Sequence, residues 1–163
     1  IVNAEKIDTH GGSLRIYVKK GKNLKINKNV KSLLLEEEKF GIKNISTYQN
    51  FAKQIYAIRE NVQKNIKNLK KNNEKIIGYG SPAKATTSLN FYGVSSDIDF
   101  IVEDNKYKHG KYIPGVKIPI VKKDNVIDKS NTMIVLAWNF FVDIKMNNSD
   151  LSDNFINIKD LEK

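Results

Sequence analysis

The chain has no cysteine. That excludes disulfides and any cysteine-bearing zinc site within it, and it suits a reducing cytosol. Histidine is almost absent too. His10 and His109 are far apart in sequence, so the ligand spacing of a zinc site is missing. With no thiol and no G-x-S-x-G elbow, the usual acyl-transfer nucleophiles have no counterpart here. No apolar run approaches the ~18 residues of a membrane span, and no signal-peptide pattern opens the chain. The expectation is a cytoplasmic protein with no membrane partner. Acidic residues are in short supply: 18 Asp and Glu stand against 28 Lys and Arg, a net charge of +10. Such a balance points first to nucleic acid. Yet Lys, Asn and Ile recur together in "KNLKINKNVK" and "NVQKNIKNLKKNNEK", which reads as a compositional habit. No basic run reads as interleaved with exposed aromatics, as single-strand binders need. The expectation is therefore no nucleic-acid partner, with a basic scaffold kept as an alternative.

What is present suffices for one ordinary domain with a core. The chain opens on Ile1, already inside the strand-like "IVNAEKID", and so reads as a piece of a longer protein. "AEKID" and "SLRIYVKK" are two strand-like pieces joined by "THGG", with period two at Leu14, Ile16 and Val18. They predict a β-hairpin over 1–20. A linker and helices follow over 21–73. "VKSLLLEEEKFGI" reads as a short helix ended by Gly41. Ser46 is a candidate N-cap for a long helix from Thr47 to about Asn72. Its apolar residues, Tyr48, Phe51, Ile55, Ile58, Val62, Ile66 and Leu69, step by three or four and predict one buried face.

From residue 74 to 163 strand and helix alternate. Ile76-Ile77 is a strand that enters Gly78-Tyr79-Gly80-Ser81-Pro82-Ala83. Pro82 suits a first helical turn, and "AKATTSLNFYG" continues as a helix stopped by Gly93. "DIDFIVED" is a second strand, and "NKYKHGKYIPGVKIPI" is a loop leading to a short strand. "KKDNVID" is a connector, "NTMIVLAWNF" a buried strand ending at Trp138-Asn139, "FFVDIKMN" a helix and "NFINI" a last strand. The fold class predicted is α/β: a Rossmann-like three-layer domain with a mainly parallel sheet, preceded by a β-hairpin and a long helix.

The glycine turn carries the chemistry. Gly78 ends a strand, and Gly80 lets the backbone approach a bulky anion. The N–H groups of the following helix then point at that anion. Ser81 and Thr87 add hydroxyls and Lys84 a cation. Glu103-Asp104, some 20–25 residues on, fall where a dinucleotide site places its ribose-binding acid. Two readings stay open from these residues: a nucleotide-binding module of NAD or coenzyme A type, and a tight β–α turn with no ligand.

Four stretches taken together resemble one family: "THGGSLR", "GYGSPAKATTSLNFYGV", "IVEDNKYKHGKYIPGVKIPI" and "IVLAWNF". In order and wording they resemble the C-terminal part of the S-adenosylmethionine-dependent sugar C-methyltransferases, which methylate a carbon of nucleotide-linked keto-deoxysugars. The likeness runs from about Glu5 to Phe141. The resemblance implies three parts: a cysteine-rich zinc domain, a methyltransferase domain that binds S-adenosylmethionine, and a Rossmann-like C-terminal domain that helps hold the nucleotide-diphosphate sugar. This chain would be the last of these, with the hairpin as the tail of the methyltransferase domain. The resemblance places the acid–base residues upstream, so no catalytic residue is assigned here and the fragment alone is expected to transfer no methyl group. His10 and Arg15 fall nearest the cleft, where Arg15 suits a bidentate phosphate contact. Gly78, Gly80, Ser81, Lys84 and Thr87 would face the diphosphate, and Asp104 and Lys108 the ribose, base or phosphate. Trp138, beside Asn139, either stacks on a ligand or fills the core.

Overall fold

The structure, a computed structural model, describes residues 1–71, 75–126 and 129–163; of His10, Ser130 and Asn131 it describes the backbone alone. The expected helix end near Asn72, the domain boundary at Glu74 and the Ile127-Asp128 end of the connector lie outside the described residues. The chain divides into two compact units, Ile1–Gln54 and Ile55–Lys163.

The first unit is the hairpin and a helix. β1 (Asn3–Ile7) pairs antiparallel with β2 (Ser13–Tyr17), with Asn3 opposite Tyr17 and Ile7 opposite Ser13. A 3₁₀ turn at Thr9–Gly11 joins them. Gly11 (φ 87°) and Gly12 (φ 117°) take backbone angles that residues with a Cβ rarely adopt. α1 (Lys28–Phe40) starts where the Asn27 side chain accepts the Asn29 N–H at 3.0 Å. It stops at Gly41, in the left-handed region at φ 82°. Ala4 is the one buried hydrophobic residue of this unit among the described residues.

α2 spans Ile45–Lys70. Ser46 therefore sits inside the first turn and is not the N-cap. The expected apolar face is buried only in the second half: Val62 and Ile66 are fully buried and Ile58 and Leu69 partly, whereas Tyr48 and Phe51 are exposed. Helical spacing records an apolar face. It does not record where a partner begins to cover it.

The second unit is a parallel sheet with helices on both faces. β3 (Ile76–Tyr79), α3 (Ala83–Tyr92), β4 (Ile101–Val102), β5 (Ile120–Val121), β6 (Ser130–Val135), α4 (Phe141–Asn147) and β7 (Ser152–Asn157) follow in order. The strands lie in the order β5-β4-β3-β6-β7, and every pairing is parallel. On one face Ile76, Ile101, Ile120 and Ile134 pack against Val62 and Ile66 of α2 and Ala85 and Leu89 of α3. On the other, Ile77, Val102, Met133 and Val135 pack with Phe155 and with Phe141 and Ile144 of α4. Alternate residues of β3 thus feed opposite cores, as strand geometry requires. The expected three-layer α/β domain is the observed one. Several boundaries differ from the sequence reading, three of them beside the glycine turn or the end of β6. The "DIDFIVED" strand shortens to two residues. β6 stops at Val135, so Trp138 and Asn139 lie in a 3₁₀ turn, Trp138–Phe140. Pro82 stands one residue ahead of α3, with extended angles of φ −66° and ψ 160°.

Candidate functional site

In a sheet of this order the chain reverses direction between its central strand and the next strand laid on the other side. The carboxyl ends of those two strands border a crevice where such folds bind ligands. Here they are β3, running into the glycine turn, and β6, running into Ala137-Trp138-Asn139.

Gly78 faces the core. A Cβ there would fall 2.8 Å from Ile101 Cγ1 and 3.4 Å from Leu136 Cδ1. Its small size serves strand packing, and it presents nothing to a ligand. Gly80 is the close approach: φ is 82°, and a Cβ would lie 2.8 Å from that of Ala137. The turns after β3 and β6 therefore touch backbone to side chain, and only glycine fits.

Ser81 is buried, and its donors are already committed. Its N–H donates to Glu103 Oε2 at 2.8 Å, and its hydroxyl donates to the same oxygen. Lys108 Nζ donates to the Ser81 carbonyl at 2.8 Å and lies 3.3 Å from Glu103 Oε2. The other Glu103 oxygen accepts the Asn105 N–H at 3.0 Å. Burial alone would raise the Glu103 pKa. The Ser81 hydroxyl, the Asn105 and Ser81 N–H groups and Lys108 outweigh it and hold the carboxyl below its usual range. Glu103 is thus turned inward, away from the ribose contact that its position suggests.

Next to this knot stands a second cluster. Lys84, in the first turn of α3, places Nζ 3.3 Å from Asn139 Oδ1 and 3.6 Å from the centre of the Trp138 ring. Lys159 Nζ lies 4.9 Å from the same ring and 3.1 Å from the Glu162 carboxylate. Trp138 is half-buried against the core, and ammonium groups lie over its ring. Stacking a ligand on the Lys84 side would first displace Lys84. Thr87 is exposed three residues further along α3.

Asp104 is exposed and accepts the Tyr79 hydroxyl at 2.7 Å. Burial, and then this bond, push the Tyr79 phenol well above its ordinary pKa, so it stays a neutral donor. His109 Nε2 lies 2.6 Å from the Glu103 carbonyl oxygen, a local loop contact. Arg15 is exposed on β2, opposite Glu5, and belongs to the first unit with His10. The structure thus gathers Gly80, Ser81, Lys84, Lys108, Trp138 and Asn139 around one end of the sheet. Gly78 points away from it.

Two features escaped the sequence reading. Lys159 sits in the turn after β7, 75 residues from Lys84, and no motif marks it. The stretch Lys106 to Tyr112 does alternate basic and aromatic residues, with Tyr107 74 % and Tyr112 62 % exposed. The view that no basic run carries exposed aromatics is corrected by this loop. Among the described residues no group of three or more His, Asp or Glu is placed to hold a metal. Nor is any helix long and apolar enough to cross a membrane. The first unit carries a groove of about 670 Å³ whose apolar lining includes Ile7, Leu14, Leu33, Phe40 and Ile42.

The second unit is thus a doubly wound α/β domain with a tight glycine turn and a cationic cluster at its switch point. Residues 8–156 match the family of C-methyltransferase C-terminal domains, and the chain belongs to that family. It is similar to the C-methyltransferase NovU of Streptomyces niveus, with 26 % identity over 157 residues. That match covers 94 % of this chain and 37 % of the relative, so the chain spans little more than a third of the enzyme it matches.

Proposed function

We propose that this chain is the substrate-side domain of an S-adenosylmethionine-dependent C-methyltransferase acting on a nucleotide-diphosphate-linked keto-deoxysugar. The single observation that carries the proposal is the Lys84–Trp138–Asn139 cluster at the switch-point crevice of a domain in this family. An ammonium at a helix start, beside an amide and over an aromatic ring, suits one end of a diphosphate sugar. Asp104 and Lys108 border the same end of the sheet and are the next candidates for contact, while Gly80 lets the two turns of the crevice close on each other. Arg15 and His10 are assigned to the cleft of the longer protein.

In this reading residues 1–20 are the tail of the methyltransferase domain, 21–73 the connector and 74–163 the nucleotide-sugar domain. S-adenosylmethionine, held by the upstream domain, supplies an electrophilic methyl group. A zinc ion belongs to a further upstream domain, and the working compartment is the cytoplasm. The acid–base residues lie upstream as well, so this domain contributes by holding and orienting the sugar. Orientation of this kind acts on the rate through the geometry of approach. The apolar face of the first unit, around Leu14 and Phe40, is assigned to contact with the methyltransferase domain.

The test is Lys84→Ala in the full-length enzyme. Loss of a charged contact to phosphate raises the sugar-nucleotide KM by about 10- to 100-fold. Unchanged KM and kcat would return the turn to a plain β–α connection. Calorimetry of this chain with S-adenosylmethionine is expected to show no binding, and tight binding would overturn the division of labour. A thermal-shift panel separates the NAD or coenzyme A reading: stabilisation by those cofactors but by neither a dTDP- nor a UDP-sugar would favour it. The nucleic-acid reading now rests on the Lys106–Tyr112 loop. It requires a gel shift at low salt that fades steeply as salt rises.

A further inference from the structure

We propose that Glu103 is a resident anion that fills the phosphate seat of the glycine turn and closes that seat to diphosphates and dinucleotides. The diphosphate of the proposed substrate is then left to the Lys84 side of the crevice, a consequence that rests on the function proposed above.

A phosphate seat of this type is made of backbone N–H groups and a hydroxyl that converge on one oxygen-rich group. Each of those donors can be traced here. The Gly80 N–H donates to the Val102 carbonyl at 2.8 Å, as part of the sheet. The Ser81 N–H and hydroxyl both go to Glu103. Pro82 has no N–H. The Ala85 N–H returns to the Pro82 carbonyl at 2.9 Å. Between Gly80 and Ala85 that leaves the N–H groups of Ala83 and Lys84, at the end of the turn nearer the Lys84 cluster.

The carboxylate is built in. Its side chain is 11 % exposed and its charge is partly balanced by Lys108. Both oxygens are engaged, one by Ser81 and Lys108 and one by the Asn105 N–H. The reason is topological. β3 and β4 are parallel neighbours with Tyr79 opposite Val102, so the first side chain past β4 reaches the turn that follows β3. A phosphate entering the seat would meet a like charge within a few ångströms and would find the Gly80, Ser81 and Ala85 donors taken. The same contacts fasten the start of the Lys106–Tyr112 loop to the turn, since Lys108 bridges Glu103 and the Ser81 carbonyl.

The experiment is an amide NMR titration of this chain with pyrophosphate and, separately, with NAD. In the native chain the Ser81 amide resonance is expected to stay in place to millimolar ligand. In Glu103→Ala the vacated seat is expected to take pyrophosphate, with a saturable Ser81 shift and an affinity at least tenfold above the native chain. Glu103→Gln keeps an oxygen in place but removes the charge. It serves as the gain-of-binding variant should Glu103→Ala fail to give a dispersed spectrum, with a smaller but saturable shift expected. A saturable Ser81 shift in the native chain overturns the proposal. So does a folded Glu103→Ala, or in its place a folded Glu103→Gln, that binds no better than the native chain. The result is separable from that of Lys84→Ala. An unmoved native Ser81 amide together with an unchanged sugar-nucleotide KM would remove the substrate assignment and leave the resident anion standing.

Discussion

The two units of this chain solve the burial problem to very different degrees. Residues 55–163 enclose two apolar layers, with Ile66, Ile77, Leu89, Ile101, Met133 and Ile134 all fully buried. Residues 1–54 bury Ala4 and leave Leu14, Ile16, Val18, Leu34, Phe40 and Phe51 exposed, Val18 by 76 % and Phe40 by 73 %. Both carry apolar residues at regular spacing. Only one has a second layer to set them against. A two-stranded hairpin is marginal in water and needs further strands or a covering surface, and an exposed apolar patch of this kind marks a contact face. The comparison teaches that the sheet unit buries a core of its own and that the hairpin unit leaves its apolar residues uncovered, which is why the function proposed above assigns it a contact face.

The sharpest way to break that contrast is to cut the core. Ile134→Ala, near the carboxyl end of β6 and fully buried, is expected to cost about 2–5 kcal/mol in urea unfolding, through lost burial and the cavity left behind. Limited trypsin digestion is the companion measurement. First cuts are expected at Lys19, Lys20, Lys22 or Lys25, while a fragment holding the sheet persists. Simultaneous loss of both units would show that they fold as one. Gly80→Ala comes next, at about 1–3 kcal/mol, because the new Cβ would press on Ala137 at a positive φ. A cost near zero there would mean that the turns after β3 and β6 are not in close contact.

Much of the fold was legible in the residues, and the part that was not has a common cause. Gly41 and Gly93 end their helices in left-handed geometry, as local chemistry demands. The alternating hydrophobic segments yielded the parallel sheet. Ser46 misled because Asn44, Ser46 and Thr47 are all plausible cap types around one apolar Ile45, and the backbone chose the earlier start. Tyr48 and Phe51 misled because periodicity is blind to coverage. In the site, Gly80 and Lys84 were readable from local spacing. The Ser81–Glu103 pair and the approach of Lys159 to Trp138 were not. Those contacts span 22 and 21 residues and exist only because strands β3, β4, β6 and β7 end side by side.

Glu103 supplies the next test, inside the sheet unit. Its carboxyl is held below the ordinary range when folded. Its contribution is therefore complete above the unfolded carboxylate value of about 4.3, and it is lost as pH falls through the lower, folded value. Glu103→Gln is expected to cost about 1–3 kcal/mol near neutral pH, the scale of hydrogen bonds to a charged group. The gap between native and variant should narrow as pH falls from about 6 to about 3. A gap that stayed constant would mean that the carboxylate's charge does not hold the turn.

The smallest effects belong to the hairpin unit, and they test the comparison from its other side. Ile16→Thr, on β2, and Val18→Thr, one residue past it, both keep a β-branched residue, so local propensity is nearly unchanged. Both positions are exposed, and exposed substitutions away from special features stay within about 0.5 kcal/mol. In this chain, then, chemical denaturation should barely register either change. In the longer protein the same substitutions should matter more if the methyltransferase domain covers this face, since each would leave a hydroxyl where an apolar group was buried. A loss above about 2 kcal/mol in the chain alone would mean that the face is already covered. The hairpin unit would then have a core of its own, and the two units would differ in size and not in kind.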